Sequence, residues 1–436
     1  MTIRIAITGV GAVTPAGTGM PALWEQVRSG VSAVRRIDHF DPSPYRCQVA
    51  GQSDGFVATD WLPARFVLRT DRFTHLAMVA AGHAIDDARL VIGGGGGTRA
   101  ERVAVTVGNV LGGWQFAERE LRNLWTSGPR DVSPYQATAW FPAAPQGNIC
   151  IKYGIKGRAR TFVCDRASGA YALAHAADTI RRGQADVVLA GGTEQPLSPY
   201  AWLCCQTSGY LTSRGNDEPA AAYRPFDSRH SGGVIGEGSV FLVLENLDHA
   251  DARGARIYAE LTAWAVATDG YMPYYSSDPR GTVVARMIRT TLQRAGVGAG
   301  ELGCIVADGS GLPHEDAAEV AGITAGMDGH ARDVPVTAVK AAISHLMGAA
   351  AVADVAVAAA ATIHSEVPPV ANLARPASGF ELDFVTAAPR QVKQLDSALV
   401  ISRGLGGINA CLVIARWPQV GNANGSLVTP AACGEL

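Results

Sequence analysis

The run Thr161-Phe-Val-Cys-Asp-Arg-Ala-Ser-Gly169 has the makings of a catalytic junction. Thr161 to Val163 read as the end of a buried strand, and a helical pattern opens at Ser168, the expected cap, and continues to Ile180. A side chain in such a turn faces the helix N-terminus, where free backbone N–H groups can polarise a nucleophile or bind an oxyanion. The turn carries Arg166. A guanidinium is protonated at every physiological pH and offers no lone pair, so no acyl intermediate can form on it. Cys164 lies two residues earlier, at the strand end, where the backbone alternates faces and offers no helix N-terminus. A buried, inert thiol is the expectation there, with a replacement nucleophile as the competing reading.

Around this junction, strand-like runs at residues 4–8, 102–107, 185–190, 239–244, 304–307 and 398–402 alternate with helical patterns. The helical patterns cover 74–89, 168–182, 281–295 and 346–363, which makes the class α/β. Both halves end a strand near a Gly-containing turn that feeds a helix, which hints at a duplicated unit. Gly9-Val-Gly11 reads as a structural turn after the first strand, because no third glycine completes a dinucleotide fingerprint. The glycine run 93–97 reads as a loop, and 417–436 as an irregular tail.

With 436 residues, 47% hydrophobic, the chain can bury one very large core or two fused halves. Only 17% of residues are charged, which leaves room for an apolar interface with a permanent partner. A net charge of -2 shows no basic excess for nucleic acid or an anionic membrane. The eight cysteines lack C-x-x-C spacing, so no metal or disulfide framework is expected, and reduced buried thiols in the cytoplasm are. The N-terminus has no secretory pattern. The apolar run 346–363 is mostly Ala and contains Asp354, which fits an internal helix better than a membrane span.

Several segments resemble the ketosynthase family of condensing enzymes. They are Ile5-Ala-Ile-Thr-Gly-Val-Gly-Ala-Val-Thr-Pro-Ala-Gly17, Ile37-Asp-His-Phe-Asp41, Gly147 to Gly157, Arg224-Pro-Phe-Asp227 and Gly404-Leu-Gly-Gly-Ile-Asn409. The resemblance implies a thiolase-like fold, two similar halves layered αβαβα, and a dimer built across a shared sheet. The halves are placed at 1–250 and 251–416. Residues 119–129, 139–141 and 307–319 are similar to chain length factors, the ketosynthase beta subunits of type II polyketide synthases.

On this resemblance the family's nucleophilic Cys falls on Arg166, and its first catalytic His falls on Asp308. A carboxylate cannot donate the hydrogen bond that a neutral imidazole gives a thioester oxygen or enolate. Lys340 and His345 match the family's remaining Lys and second His, as remnants or structural groups. Two charges introduced into one former pocket lead to the expectation that Arg166 and Asp308 form a buried ion pair. Chain length factors commonly carry Gln where this chain has Arg166.

The resemblance also implies that function resides in shape. Trp114, Ala117 and Leu121 share one face of a helix, and with Thr138 they match positions lining a tunnel that limits chain extension. An ordinary amphipathic helix explains the same spacing. The implied partner is a catalytic ketosynthase subunit, in a heterodimer that condenses malonyl units on acyl carrier protein, with no cofactor. A stand-alone condensing or decarboxylating enzyme using Cys164 or His345, and a purely stabilising scaffold, are the alternatives.

Overall fold

The computed structural model describes residues 3–273 and 276–418. The tail beyond 418, with Cys433, lies outside the described residues. Two half-sheets are built to one plan. In the first, Ile5–Thr14 pairs antiparallel with Gly238–Asn246, which pairs antiparallel with Val187–Glu194. Val103–Gly108 and then Ala159–Phe162 follow in parallel. In the second, Ala259–Thr268, Ile408–Arg416 and Ser397–Gly404 are antiparallel, and Cys304–Val306 and Pro335–Thr337 add in parallel. Ala6 opposite Glu260 and Ile7 opposite Ala259 join the halves into one 12-stranded sheet. The duplicated unit hinted at by the strand-turn-helix pattern is therefore present as topology.

Helices complete five layers. Ser168–Arg181 and Ala350–His364 lie between the half-sheets and touch strands of both. Arg72–Asp87 covers the outer face of the first half, and Thr282–Ala295 with Pro313–Gly326 that of the second. This thiolase-like arrangement explains the Ala-rich sequence of the inner helix: every residue from Ala350 to Thr362 is buried, so small side chains let two sheets and a neighbouring helix approach. The stretch Met347–His364 is long and apolar enough to cross a membrane, yet 89% of it is buried inside the chain, and Asp354 has an internal partner.

Gly9 and Gly11 do not form a turn. They lie inside the continuous strand Ile5–Thr14, where a Cβ would come within 2.3 Å of the Ala84 carbonyl and 2.0 Å of the Ala80 carbonyl. Glycine is used there for close approach of a helix to a strand. The segment before the junction also differs from expectation. Ala159–Phe162 is an exposed edge strand rather than a buried one, and Cys204 is exposed rather than buried.

Candidate functional site

The junction lies where the first half-sheet meets the inner helix. Asp165 adopts φ +47°, a left-handed conformation that Asp tolerates better than most residues, and the reversal turns Arg166 inward. Ser168 is the first residue of its helix rather than the cap. Its hydroxyl accepts from the Cys164 N–H at 2.8 Å and donates to the Asp165 carbonyl at 2.6 Å, which closes the turn.

Arg166 is 2% exposed. Its two terminal nitrogens donate to the two oxygens of Glu315 at 2.9 and 2.8 Å, and Nε reaches Asp165 at 3.3 Å. The guanidinium carbon stands 4.4 Å from the centre of the Tyr210 ring. Burial alone would favour neutral forms of both partners, but mutual attraction outweighs it: the Glu315 carboxyl is held at about 2 and Arg166 well above its ordinary range. The expected Arg166–Asp308 ion pair is absent; among the described residues the ion pairs of Arg166 go to Glu315 and Asp165. A carboxylate on the first turn of Pro313–Gly326 already saturates the guanidinium fork, and that position also favours negative charge.

Asp308 turns instead to the second cation. Its Oδ1 lies 3.4 Å from the Lys340 Nζ and accepts from the Arg403 N–H at 3.2 Å, while Oδ2 is buried without a hydrogen-bond partner among the described residues. Lys340 also donates to Asp354. Glu319 accepts from the backbone N–H groups of Asp308 and Gly309 at 2.7 and 2.9 Å. Burial, with Asp308 adding to it, pushes Glu319 up to about 7. Attraction to Asp354 and Asp308 outweighs the burial of Lys340, which remains a cation.

His345 is fully buried, and its Nδ1 accepts from the Met347 N–H at 3.0 Å, so the ring proton sits on Nε2. That Nε2 has no hydrogen-bond partner among the described residues. Burial first, then the charges of Lys340 and Arg166, hold the ring well below its usual range and hence neutral. Tyr210 stands between Arg166 and His345: one face meets Arg166, and its ring centre lies 5.9 Å from that of His345. The Leu405 N–H, which faces the junction, donates to Asp165 Oδ2 at 2.7 Å and is unavailable to an oxyanion. Arg166, Glu315, Tyr210 and Asp165 thus pack together at the junction of strand and inner helix. No sequence pattern singles out Glu315, Tyr210 or Asp165.

Family models for the Beta-ketoacyl synthase N-terminal domain and C-terminal domain match residues 2–250 and 258–374. The chain belongs to the beta-ketoacyl synthase family. Among curated ketosynthase relatives, the "Putative polyketide beta-ketoacyl synthase 2" of Streptomyces halstedii is 38% identical, over 95% of this chain and 97% of that protein. The "Tetracenomycin polyketide synthase ketoacyl synthase beta subunit" of Streptomyces glaucescens is 36% identical, over 94% and 98%. The solved structure titled "The ishigamide ketosynthase/chain length factor" superposes with a TM-score of 0.86 at 28% identity, covering 96% of this chain and 100% of that one. Within the ketosynthase family, the likeness is to the beta subunits of type II polyketide synthases.

Cys164 is half-buried rather than enclosed, and burial pushes its thiol up, away from a reactive thiolate. It lies beyond the strand, which ends at Phe162, and ahead of the helix start at Ser168, so it belongs to the turn rather than to the strand end that the alternation argument assumed. The four positions matched to the tunnel separate. Trp114, half-buried, packs against Tyr200 with ring centres 5.1 Å apart, and Leu121, two turns further on the same face, is also half-buried. Thr138 is exposed. Ala117 is only 2% exposed and faces the chain's own interior.

Proposed function

We propose that this chain is a non-catalytic chain length factor that pairs with a catalytic ketosynthase subunit and shapes the tunnel in which a polyketide grows by malonyl condensation on acyl carrier protein. The observation that carries this reading is the buried Arg166–Glu315 pair at the position of the family's nucleophile. A chain with no acyl-accepting sulfur there, and with Asp308 in place of the imidazole that would steady an enolate, contributes by surface and volume. Trp114 is the principal volume-setting residue, because a bulky indole at a half-buried position leaves less room than any aliphatic replacement.

Coexpression with the ketosynthase subunit tests this. The pair should copurify, the partner alone should carry the acyl group, and Trp114→Ala should shift the product distribution to longer chains. Failure to copurify, or an unchanged distribution, would remove the reading. The alternative, a stand-alone condensing or decarboxylating enzyme, would have to work through Cys164 or through the neutral His345, whose Nε2–H has no hydrogen-bond partner among the described residues.

A further inference from the structure

The strand Ala159–Phe162 is the open end of the large sheet. Its inner edge pairs in parallel with Val103–Gly108, and its outer edge has no neighbouring strand among the described residues. Such an edge is a ready template for another chain. Apolar side chains stand exposed along it, with Val163 at 56% and Ile151, on the helix packed behind the strand, at 82%.

The charge on this edge is one-sided. Arg158 and Arg160 point, with Phe162, to the side of the helix Ser168–Arg181, since alternate residues of a strand share a face. Phe162 packs on His175 at 5.2 Å, and Arg160, Arg158 and Arg182 all act on that imidazole. Neither Arg158 nor Arg160 has an ion pair among the described residues. A cavity of about 550 Å³ opens beside Phe162 and His175, and Arg286 and Arg294 line it. The one carboxylate in its lining, Asp178, already accepts from the Trp264 indole at 3.2 Å.

Geometry turns this charge into a selection rule. When two copies pair antiparallel about a two-fold axis, the axis passes through a residue opposite its own copy. Two such registers keep three of the four strand residues paired. Centred on Arg160, the two Arg160 side chains are directly opposed. Centred on Thr161, they are diagonal neighbours on one face, about 7–8 Å apart. Either way like charges meet, and neither Arg158 nor Arg160 is ion-paired to a carboxylate among the described residues.

We propose that Arg160 on this open edge rejects a second copy of the chain and selects a partner whose antiparallel edge strand carries carboxylates facing Arg160 and the arginine-lined cavity. This rests on the functional reading above, and it assigns the choice of heterodimer over homodimer to one exposed cation. Arg160 is exposed and has no ion pair among the described residues, so its replacement leaves the fold intact.

The test uses the full chain, an Arg160→Glu variant, and the coexpressed ketosynthase subunit, followed by sedimentation velocity and titration at two salt concentrations. The chain alone and the variant alone should each remain monomeric at micromolar concentration. Their equimolar mixture should form a dimer, because the guanidinium of the wild-type copy then faces the carboxylate introduced into the variant copy. The variant should bind the ketosynthase at least tenfold more weakly, and wild-type affinity should fall as salt rises. Self-association of the wild type through this edge, a monomeric mixture, or unchanged affinity of the variant would overturn the proposal while wild-type pairing keeps the functional reading. If the wild type binds no ketosynthase, the functional reading fails and takes this one with it.

Discussion

The guanidinium of Arg166 and the carboxylate of Glu315 face one another through two parallel hydrogen bonds of 2.8 and 2.9 Å, each group nearly sealed from solvent. One partner comes from the first half of the chain and the other from the second, so the pair ties the two halves together at the strand-to-helix junction. Two charges in low dielectric are tolerable only together.

Removing one partner should therefore be costly. Arg166→Ala leaves Glu315 as an uncompensated buried carboxylate and should destabilise the chain by about 3–5 kcal/mol, whereas Arg166→Met combined with Glu315→Leu should be nearly neutral. Urea unfolding of the wild type and the two variants measures this. Equal losses in the single and double variants would mean that packing, not charge, governs the site.

Stability should depend on pH through the same pair. The Glu315 carboxyl lies at about 2 in the folded chain, below its unfolded value near 4.3, so its contribution is complete above that value and is lost as pH falls towards 2. The share of the acid limb that Glu315 contributes should disappear in the Arg166→Met/Glu315→Leu protein, leaving that of the other carboxyls held low, such as Asp186 and Asp227. Glu194 and Glu319 act oppositely, because burial pushes each up to about 7. Their contribution is complete below the unfolded value and is lost as pH rises through 7. Calorimetric melting points should fall between pH 5 and pH 8.

Restoring the missing sulfur should not restore chemistry. In Arg166→Cys the Leu405 N–H is still taken by Asp165, and the buried Asp308 carboxylate still accepts hydrogen bonds and cannot donate one. Single-turnover assays with acyl and malonyl thioesters should show no condensation by the isolated variant. Condensation at a rate comparable to an active ketosynthase would show that the Asp165 and Asp308 environment is no obstacle.

Ala117 and Trp114 should respond differently. Ala117→Phe inserts a ring into a closed interior and should lower stability by about 1–3 kcal/mol. Trp114→Ala removes bulk at a half-buried site and should alter product length with a smaller effect on melting. Paired melting curves and product profiles distinguish the two.

Much of this is legible in the residues. The junction at 161–181 is visible because a strand pattern changes to a helix pattern within six residues, and the change happens at Arg166. Its partner is not visible. Glu315, Asp316 and Glu319 are three acids close together on one helix, and only the helix rotation decides which faces the junction. Charge alone points to Asp308, but Lys340, a helix and a strand further along the chain, already holds it. Gly9 and Gly11 mislead because glycine marks turns and close approaches alike, and the helix that needs the space, Arg72–Asp87, lies far along the chain. The edge position of Ala159–Phe162 is set by strand order, which hydrophobic pattern does not encode.

The central claim is that this chain carries no acyl group itself. Intact mass spectrometry of the purified chain after incubation with acyl and malonyl thioesters measures this most directly. The account predicts an unmodified mass for this chain and an acyl adduct on the catalytic partner when both are present. An acyl adduct mapped to Cys164 of the isolated chain would contradict it.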